Sequence, residues 1–236
     1  MQPTHFTARL EEKQTLNDRF FHFHFELTQP HVMEFQAGQY VSIKVGPDGD
    51  RRSYSICSTP DINHGFELLI DVQPDGKGCK YLCQLKFGDE IELLAPMGQF
   101  MIQTEPREKE IVLIATGAGI APYRAMILDQ LQAKRDQRPI TLHWGMRHTQ
   151  ELFWLDEFEQ LMENFANFHF YPVLSQPERD WTLSRGRVTD VLTAEESLSR
   201  EAGYYLCGNS TMIQDVKKLL LSKGIPETNI HHEKFF

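Results

Sequence analysis

An antiparallel β-barrel followed by a doubly wound parallel α/β domain is the fold class predicted by this 236-residue sequence. Three observations carry that expectation. Early residues alternate apolar and polar with period two, an uninterrupted apolar run begins near residue 111, and strand-like and helix-like segments alternate from there onward. At ~100–200 residues per domain, this length accommodates two modest domains.

Residues 20–27, FFHFHFEL, put Phe21, Phe23, Phe25 and Leu27 on one face and His22, His24 and Glu26 on the other. That pattern predicts a half-buried strand, with both histidines facing solvent rather than a metal. QYVSIKV, SYSICS, FELLIDV and EIELL follow, separated by PDGD, TPDINHG, QPDGKG and FGD. Short strands divided by turn chemistry predict a small barrel or sandwich. From Glu110 the texture changes. EIVLIAT suits a strand buried on both faces, and helix-period sequence runs on to Lys134. ITLHWGM, the amphipathic ELFWLDEFEQLMENF, FHFYPVL, RVTDVL, YYLCG and a helical stretch from Ser210 complete the alternation. Residues 103–109, QTEPREK, read as the linker, dividing the chain into domains 1–104 and 105–236.

The formal charge of −9 argues against nucleic acid as a partner, because tracking phosphates calls for a basic field. The N-terminus lacks the apolar run of a signal peptide, and the longest nearly apolar stretch, residues 111–122, is far short of the ~20 residues of a membrane span. A cytoplasmic protein without membrane association, and a monomer, is expected. Cys57, Cys79, Cys83 and Cys207 form no CxxC pair, so neither structural zinc nor an iron–sulfur cluster is expected within this chain.

Five short segments carry possible chemistry. Thr116-Gly117-Ala118-Gly119-Ile120-Ala121-Pro122 follows the buried strand, where glycines allow close backbone approach and a helix N-terminus offers amides to a pyrophosphate. Gly145-Met146-Arg147 and Cys207-Gly208-Asn209 end two further strands, and ligands of open α/β sheets lie outside such ends. In the first half, Arg52-Ser53-Tyr54-Ser55 lies on a strand, and Gly76-Lys77-Gly78-Cys79-Lys80 leads into a short helix. Taken singly, each also fits an ordinary strand or turn. Arg147 alone fits a surface ion pair, and Cys207 a small buried hydrophobe.

In this order, over nearly the whole chain from Gln39, the segments resemble the ferredoxin–NADP(+) reductase superfamily. RSYS resembles its flavin motif RxYS, GKGC its pyrophosphate motif GxxS, and ATGAGIAPY its nicotinamide loop. WGMR, CGNS and the C-terminal Glu233-Lys234-Phe235 follow. The resemblance implies FAD in the barrel and NADH or NADPH in the α/β domain. It implies that Arg52 pairs with FAD phosphate, Tyr54 packs on the isoalloxazine and Ser55 bonds the hydride-accepting nitrogen, while Ser53, Ile70 and Val72 line the same site. Backbone groups of Gly78, Cys79 and Lys80 would hold the pyrophosphate. Thr116, Gly117, Gly119, Ile120, Pro122, Arg147, Ser175, Arg187, Gly208 and Met212 would receive the nicotinamide dinucleotide, with Cys207 and Glu233 bordering its reactive ring. Phe235 or Phe236 would shield the flavin.

The reaction implied is hydride transfer from NAD(P)H to FAD, then single-electron delivery to a separate ferredoxin or flavodoxin. An NAD(P)H:flavin reductase and an electron-transfer subunit of a larger oxidoreductase are the alternatives. Arg51, Arg52, Lys77, Lys80 and Lys86 form a basic cluster near the flavin motifs that would steer an acidic partner. The sequence departs from the family pattern at Cys79 (usually Ser), Ser210 (often Pro) and Gln176. NADP-specific relatives often place Arg at this last position, and Gln cannot supply the charge. Arg147, Arg185 and Arg187 are possible substitutes, so the choice between NADH and NADPH is open.

Overall fold

The computed structural model describes residues 2–73, 75–103, 108–195 and 197–235. Two compact units emerge, one of residues 1–101 with 121–133, the other of residues 102–120 with 134–236.

In the first unit, β1 (Thr4–Thr15), β2 (Phe20–Gln29), β3 (Tyr40–Lys44), β4 (Arg51–Ser55), β5 (Gly65–Asp71) and β6 (Glu90–Met97) form one sheet, ordered β4-β3-β6-β1-β2-β5, with every pair antiparallel. Register shifts between Thr7 and Ala8, and between Leu10 and Glu12, bend the long β1 as bulges do. The sheet curls until its edges meet. Ile56, just after β4, bridges Leu68 of β5, and the Cys57 amide donates to Glu67 O at 2.9 Å. Phe23, Phe25, Phe66, Leu68, Ile43 and Leu93 fill the interior, which is the expected inward face of β2. The helix α1 (Lys77–Gln84) follows β5 and packs Cys79 and Leu82 against this core.

One expectation fails here. His22 and His24 are half-buried, and the Nε2 atom of each is shielded from solvent. The reason is that β2 lies inside the sheet between β1 and β5, and its outer side is covered. The helix α2 (Ala121–Leu128), which belongs to this unit, brings Arg124 to 2.8 Å from Glu67 Oε2 and 3.0 Å from Cys57 O, while His22 Nε2 lies 3.4 Å from the same carboxylate. Burial raises the Glu67 pKa, but the His22 hydrogen bond and the Arg124 charge outweigh it, so the group sits at about 2. Donor atoms of His22, Cys57 and Glu67 lie within 4.8 Å of one another. The Arg124 guanidinium already supplies the positive charge that a metal would bring.

In the second unit, β7 (Glu110–Thr116), β8 (Ile140–Met146), β9 (Phe168–Leu174), β10 (Ser184–Arg185), β11 (Ala202–Gly208) and β12 (Ile230–Lys234) form a parallel sheet ordered β10-β9-β8-β7-β11-β12. The apolar EIVLIAT run is its central strand, and all seven residues of β11 are buried. Helices α3 (Leu155–Asn164), α4 (Val188–Ala194) and α5 (Ser210–Ser222) connect β8 to β9, β10 to β11 and β11 to β12. Strand order reverses between β7 and β11, which places the topological switch point outside their carboxyl ends. Among the described residues, no helix is long and apolar enough to cross a membrane.

Candidate active site

In the first unit, the structure brings the two predicted flavin motifs together. Tyr54, Arg52 and Gly78 are neighbours: a Cβ built on Gly78 would lie 2.2 Å from Tyr54 Oη and 2.8 Å from Arg52 Cγ. Only glycine lets α1 start this close to β4. Gly76 occupies the N-cap of α1 with no side-chain hydrogen bond, and no acidic residue lies in the first turn. A helix start of this kind directs unsatisfied amides and partial positive charge at an anion, and the exposed Arg52 lies beside it. This donor set fits a pyrophosphate.

Two details differ from the expected roles. The Lys80 amide donates to Gly76 O at 3.0 Å, closing the first helical turn, so it is not available to a phosphate. The amides with no partner inside the helix belong to the residues before it. The Cys79 thiol, buried and pushed up in pKa by that burial, donates to Asp71 O at 3.1 Å. Its side chain therefore holds the strand before the helix, and its amide is what it offers a ligand.

Tyr54 is half-buried, and desolvation raises its pKa, so it is a neutral phenol. Ser55 is buried at the end of β4, whereas Ser53 is exposed and pairs with Ser42. The Ile70 side chain lies in the barrel core, so only its backbone can face a cofactor; Val72 is half-buried at the core margin, with its amide on Arg19 O at 3.0 Å.

Two members of the expected basic cluster are paired with acids. Lys77 is ion-paired with Asp50, Lys80 with Asp75 at 3.0 Å, and Arg51 folds back on Ser42 O at 2.6 Å. Arg52 and Lys86 are exposed: Arg52 Nη1 donates to Arg51 O at 2.8 Å, and the Lys86 amide donates to Asp89 Oδ2 at 2.8 Å. The acids of PDGD and QPDGKG, read only as turn residues, face the lysines across the same surface.

In the second unit, the glycine loop and the CGN segment meet at the switch point. Gly117–Ile120 form a single turn of 3-10 helix after β7. A Cβ on Gly119 would lie 2.3 Å from Cys207 O and 2.9 Å from Gly208 N, so this turn rests on the Cys207–Gly208 peptide itself. Thr116 Oγ1 accepts from the Asn209 amide at 3.3 Å and from Asn209 Nδ2 at 3.2 Å, and Asn209 Oδ1 caps α5 by accepting from the Met212 amide at 2.8 Å. The capping role of Asn209 escaped the sequence reading, although Asn before a helical run is the residue that capping favours. Trp144 Nε1 donates to Gly117 O at 3.0 Å and holds the turn from β8. Ile120 and Met212 are buried, as is Pro122, which lies in α2 of the first unit.

The β8 and β9 ends stay paired beyond the sheet: the Ser175 amide donates to Met146 O at 3.0 Å and the Gln176 amide to Arg147 O at 2.9 Å. Arg147, Ser175 and Gln176 are thereby gathered at one exposed edge. Arg187 sits at the N-cap of α4, two residues beyond β10, while Arg185 is tied to the carbonyls of residues 178, 179 and 181.

Cys207 and Glu233 are register partners on β11 and β12. Full burial, with a smaller contribution from Glu233, pushes the Cys207 thiol well up in pKa. It is a neutral packing surface at physiological pH. The Phe235 amide extends the β12 pairing to Gly208 O at 2.9 Å; Phe236 lies outside the described residues. A separate cavity of about 650 Å³, lined by His143, Tyr171, Glu195 and Tyr204, shares no residue with either motif set.

Residues 7–102 match the oxidoreductase FAD-binding domain family, and residues 113–218 match the oxidoreductase NAD-binding domain family. The chain is 35% identical over 219 residues to the reductase component of a phenol 2-monooxygenase from Pseudomonas sp., spanning 90% of this chain and 60% of that protein. It is 32% identical to one component of a Na(+)-translocating NADH-quinone reductase from Neisseria gonorrhoeae, spanning 86% of this chain and 53% of that protein. The chain thus spans between half and three fifths of these relatives. Among solved structures, a cytochrome P450 reductase from Amycolatopsis superposes with a TM-score of 0.91 at 28% identity, covering 100% of this chain and 71% of that one. A ferredoxin NADP+ reductase from Neisseria gonorrhoeae, with bound FAD and NADP, superposes at 0.84 with 23% identity over 98% and 99%, a likeness of fold.

Proposed function

The chain belongs to the ferredoxin–NADP(+) reductase-like superfamily of FAD- and NAD(P)H-dependent oxidoreductases, and from that membership we propose that it passes reducing equivalents from NAD(P)H through FAD to an iron–sulfur protein of ferredoxin type or to a flavodoxin. The observation that carries this reading is the pair of close-approach sockets. In one, Gly78 is set against Tyr54 and Arg52; in the other, Gly119 rests on the Cys207–Gly208 peptide at the switch point.

FAD, when held by these residues, would supply the exchange between hydride and single-electron chemistry. The protein's own residues bind and orient. Arg52 and the first-turn amides of α1 would neutralise the pyrophosphate, and the neutral Tyr54 ring would give the isoalloxazine an apolar wall. Ser55, held in a buried position, offers a hydroxyl to the flavin edge. Burial keeps the Cys207 thiol protonated, so it bounds the nicotinamide site sterically, and the Glu233 carboxyl group stands beside it in register.

Onward delivery to a protein, rather than to free flavin, is favoured by the relatives: their names describe a reductase component of a phenol 2-monooxygenase and one component of a quinone reductase. The decisive experiment follows absorbance of the purified protein under anaerobic conditions. It is expected to be yellow, to bleach with NADH or NADPH, and to regain colour faster with oxidised ferredoxin than with free FMN. A colourless protein that turns over free flavin with saturation kinetics would refute the proposal in favour of a flavin reductase.

A further inference from the structure

Within the second unit, one carboxylate is buried away from both motif sets. Glu108, only 4% exposed, accepts a hydrogen bond from Tyr205 Oη at 2.7 Å on one oxygen and meets His231 Nε2 at 2.7 Å with the other. The Tyr205 and His231 rings stack, with centroids 4.6 Å apart and planes 23° from parallel. Tyr205 Oη also accepts from the Gln103 amide at 2.8 Å, and Arg138 Nη1 reaches Gln103 O and Glu108 O, each at 3.2 Å. Room for the carboxylate comes from Gly203, where a Cβ would lie 2.1 Å from Glu108 Oε2. A glycine inside a strand often marks such an approach.

The register gives this cluster a direction. Tyr205 pairs with His231 and Cys207 with Glu233, in adjacent parallel strands. Residues two apart share a sheet face, so Tyr205 and Cys207 lie on one face of β11, and His231 and Glu233 on the matching face of β12. The Tyr205–Glu108–His231 bridge therefore stands one pleat ahead of the Cys207–Glu233 pair. Because β12 is an edge strand, its backbone hydrogen bonds restrain it from one side only.

We propose that Glu108 is a positioning residue for the nicotinamide site: by joining Tyr205 to His231 it pins edge strand β12 in register, so that Glu233 stays opposite Cys207. The proposal rests on the functional reading above, in which Cys207 and Glu233 border that ring. Tyr205 suits the role as a permanent donor, since burial, reinforced by the Glu108 carboxylate, holds its phenol well above its ordinary pKa.

The test uses the FAD-loaded protein and stopped-flow flavin reduction, with the nucleotide concentration varied. H231F keeps the ring stack and loses the hydrogen bond. E108Q keeps an acceptor for Tyr205 and a polar partner for His231. For H231F the half-saturating NAD(P)H concentration should rise on the order of fivefold, as expected from losing roughly one hydrogen bond of restraint. FAD content and the limiting rate at saturation should hold within about twofold, a split that uniform binding loss predicts. E108Q should keep most of the affinity that H231F loses. Unchanged half-saturation in H231F would overturn the proposal. So would a loss of FAD and thermal stability in step with the loss of affinity, which would mark a merely structural role. A wild-type protein that bleaches with neither NADH nor NADPH would instead overturn the functional reading itself.

Discussion

Replacing Gly78 with alanine tests the flavin socket most directly. The new methyl group would lie 2.2 Å from Tyr54 Oη and 2.8 Å from Arg52 Cγ. Ordinary contact requires about 3.5 Å, so the tyrosine hydroxyl must retreat by about 1.3 Å. Its ring moves with it, and that ring is the proposed wall for the isoalloxazine. Overpacking of this kind costs ~1–3 kcal/mol, which corresponds to ~5–150-fold weaker FAD binding if the strain is relieved when the cofactor leaves. Fluorescence titration of apoprotein with FAD measures this, and the 450 nm to 280 nm absorbance ratio reports occupancy. Tyr54→Phe removes the atom in closest conflict, so the double variant should bind FAD more tightly than the two single losses sum to. Strict additivity, or a G78A protein that binds FAD like wild type, would refute the reasoning.

The remaining predictions concern chemistry, nucleotide choice, pH and docking. Ser55→Ala should lower the limiting rate of flavin reduction ~10- to 100-fold while FAD occupancy is kept, and a wild-type stopped-flow rate would remove the serine from the mechanism. Arg147→Ala should lower the NADPH to NADH ratio of kcat/KM by about tenfold if this exposed guanidinium meets the 2′-phosphate in place of an arginine at Gln176; an unchanged ratio excludes that role. Burial lowers the pKa of His143 to about 4, so it stays neutral in the fold. Below pH 6.5 the unfolded chain takes up a proton that the folded chain refuses, and about 2 kcal/mol of stability should be lost between pH 7 and pH 5. Urea midpoints at the two pH values measure this, and His143→Gln should flatten the difference. With Lys77 and Lys80 held by Asp50 and Asp75, ferredoxin turnover should fall only shallowly with ionic strength; a steep fall would show that the lysines exchange partners on docking.

What could be read from the sequence was local. FFHFHFEL and EIVLIAT announce their strands because side-chain period and burial are written within each segment. The motif glycines could be placed because close approach leaves a local trace, and the structure seats Gly78 against Tyr54 and Arg52, and Gly119 against the Cys207–Gly208 peptide. The failures are long-range. His22 looks solvent-facing until Arg124, a hundred residues later, arrives over Glu67. The polar stretch QTEPREK reads as a linker, yet Glu108 inside it is buried by Tyr205 and His231. Its one local clue was Gly203, a glycine in a strand with no turn to explain it. The lysines around α1 formed a basic patch only while the acids facing them were counted as turn residues.

The barrel seam carries a further consequence. The six-stranded sheet closes through Ile56 and Leu68, and this join follows Ser55 directly, so the flavin motif is the last stretch of chain before the closure. A cofactor held by Arg52, Tyr54 and Ser55 would therefore act as a buckle. Its binding energy would add to the free energy of closing the cylinder, by mass action, at the place where the two edges meet. Amide exchange at Ile56 and Cys57 would then report FAD occupancy, slow in the loaded protein and fast once the flavin is stripped, while the interior of β1 hardly responds.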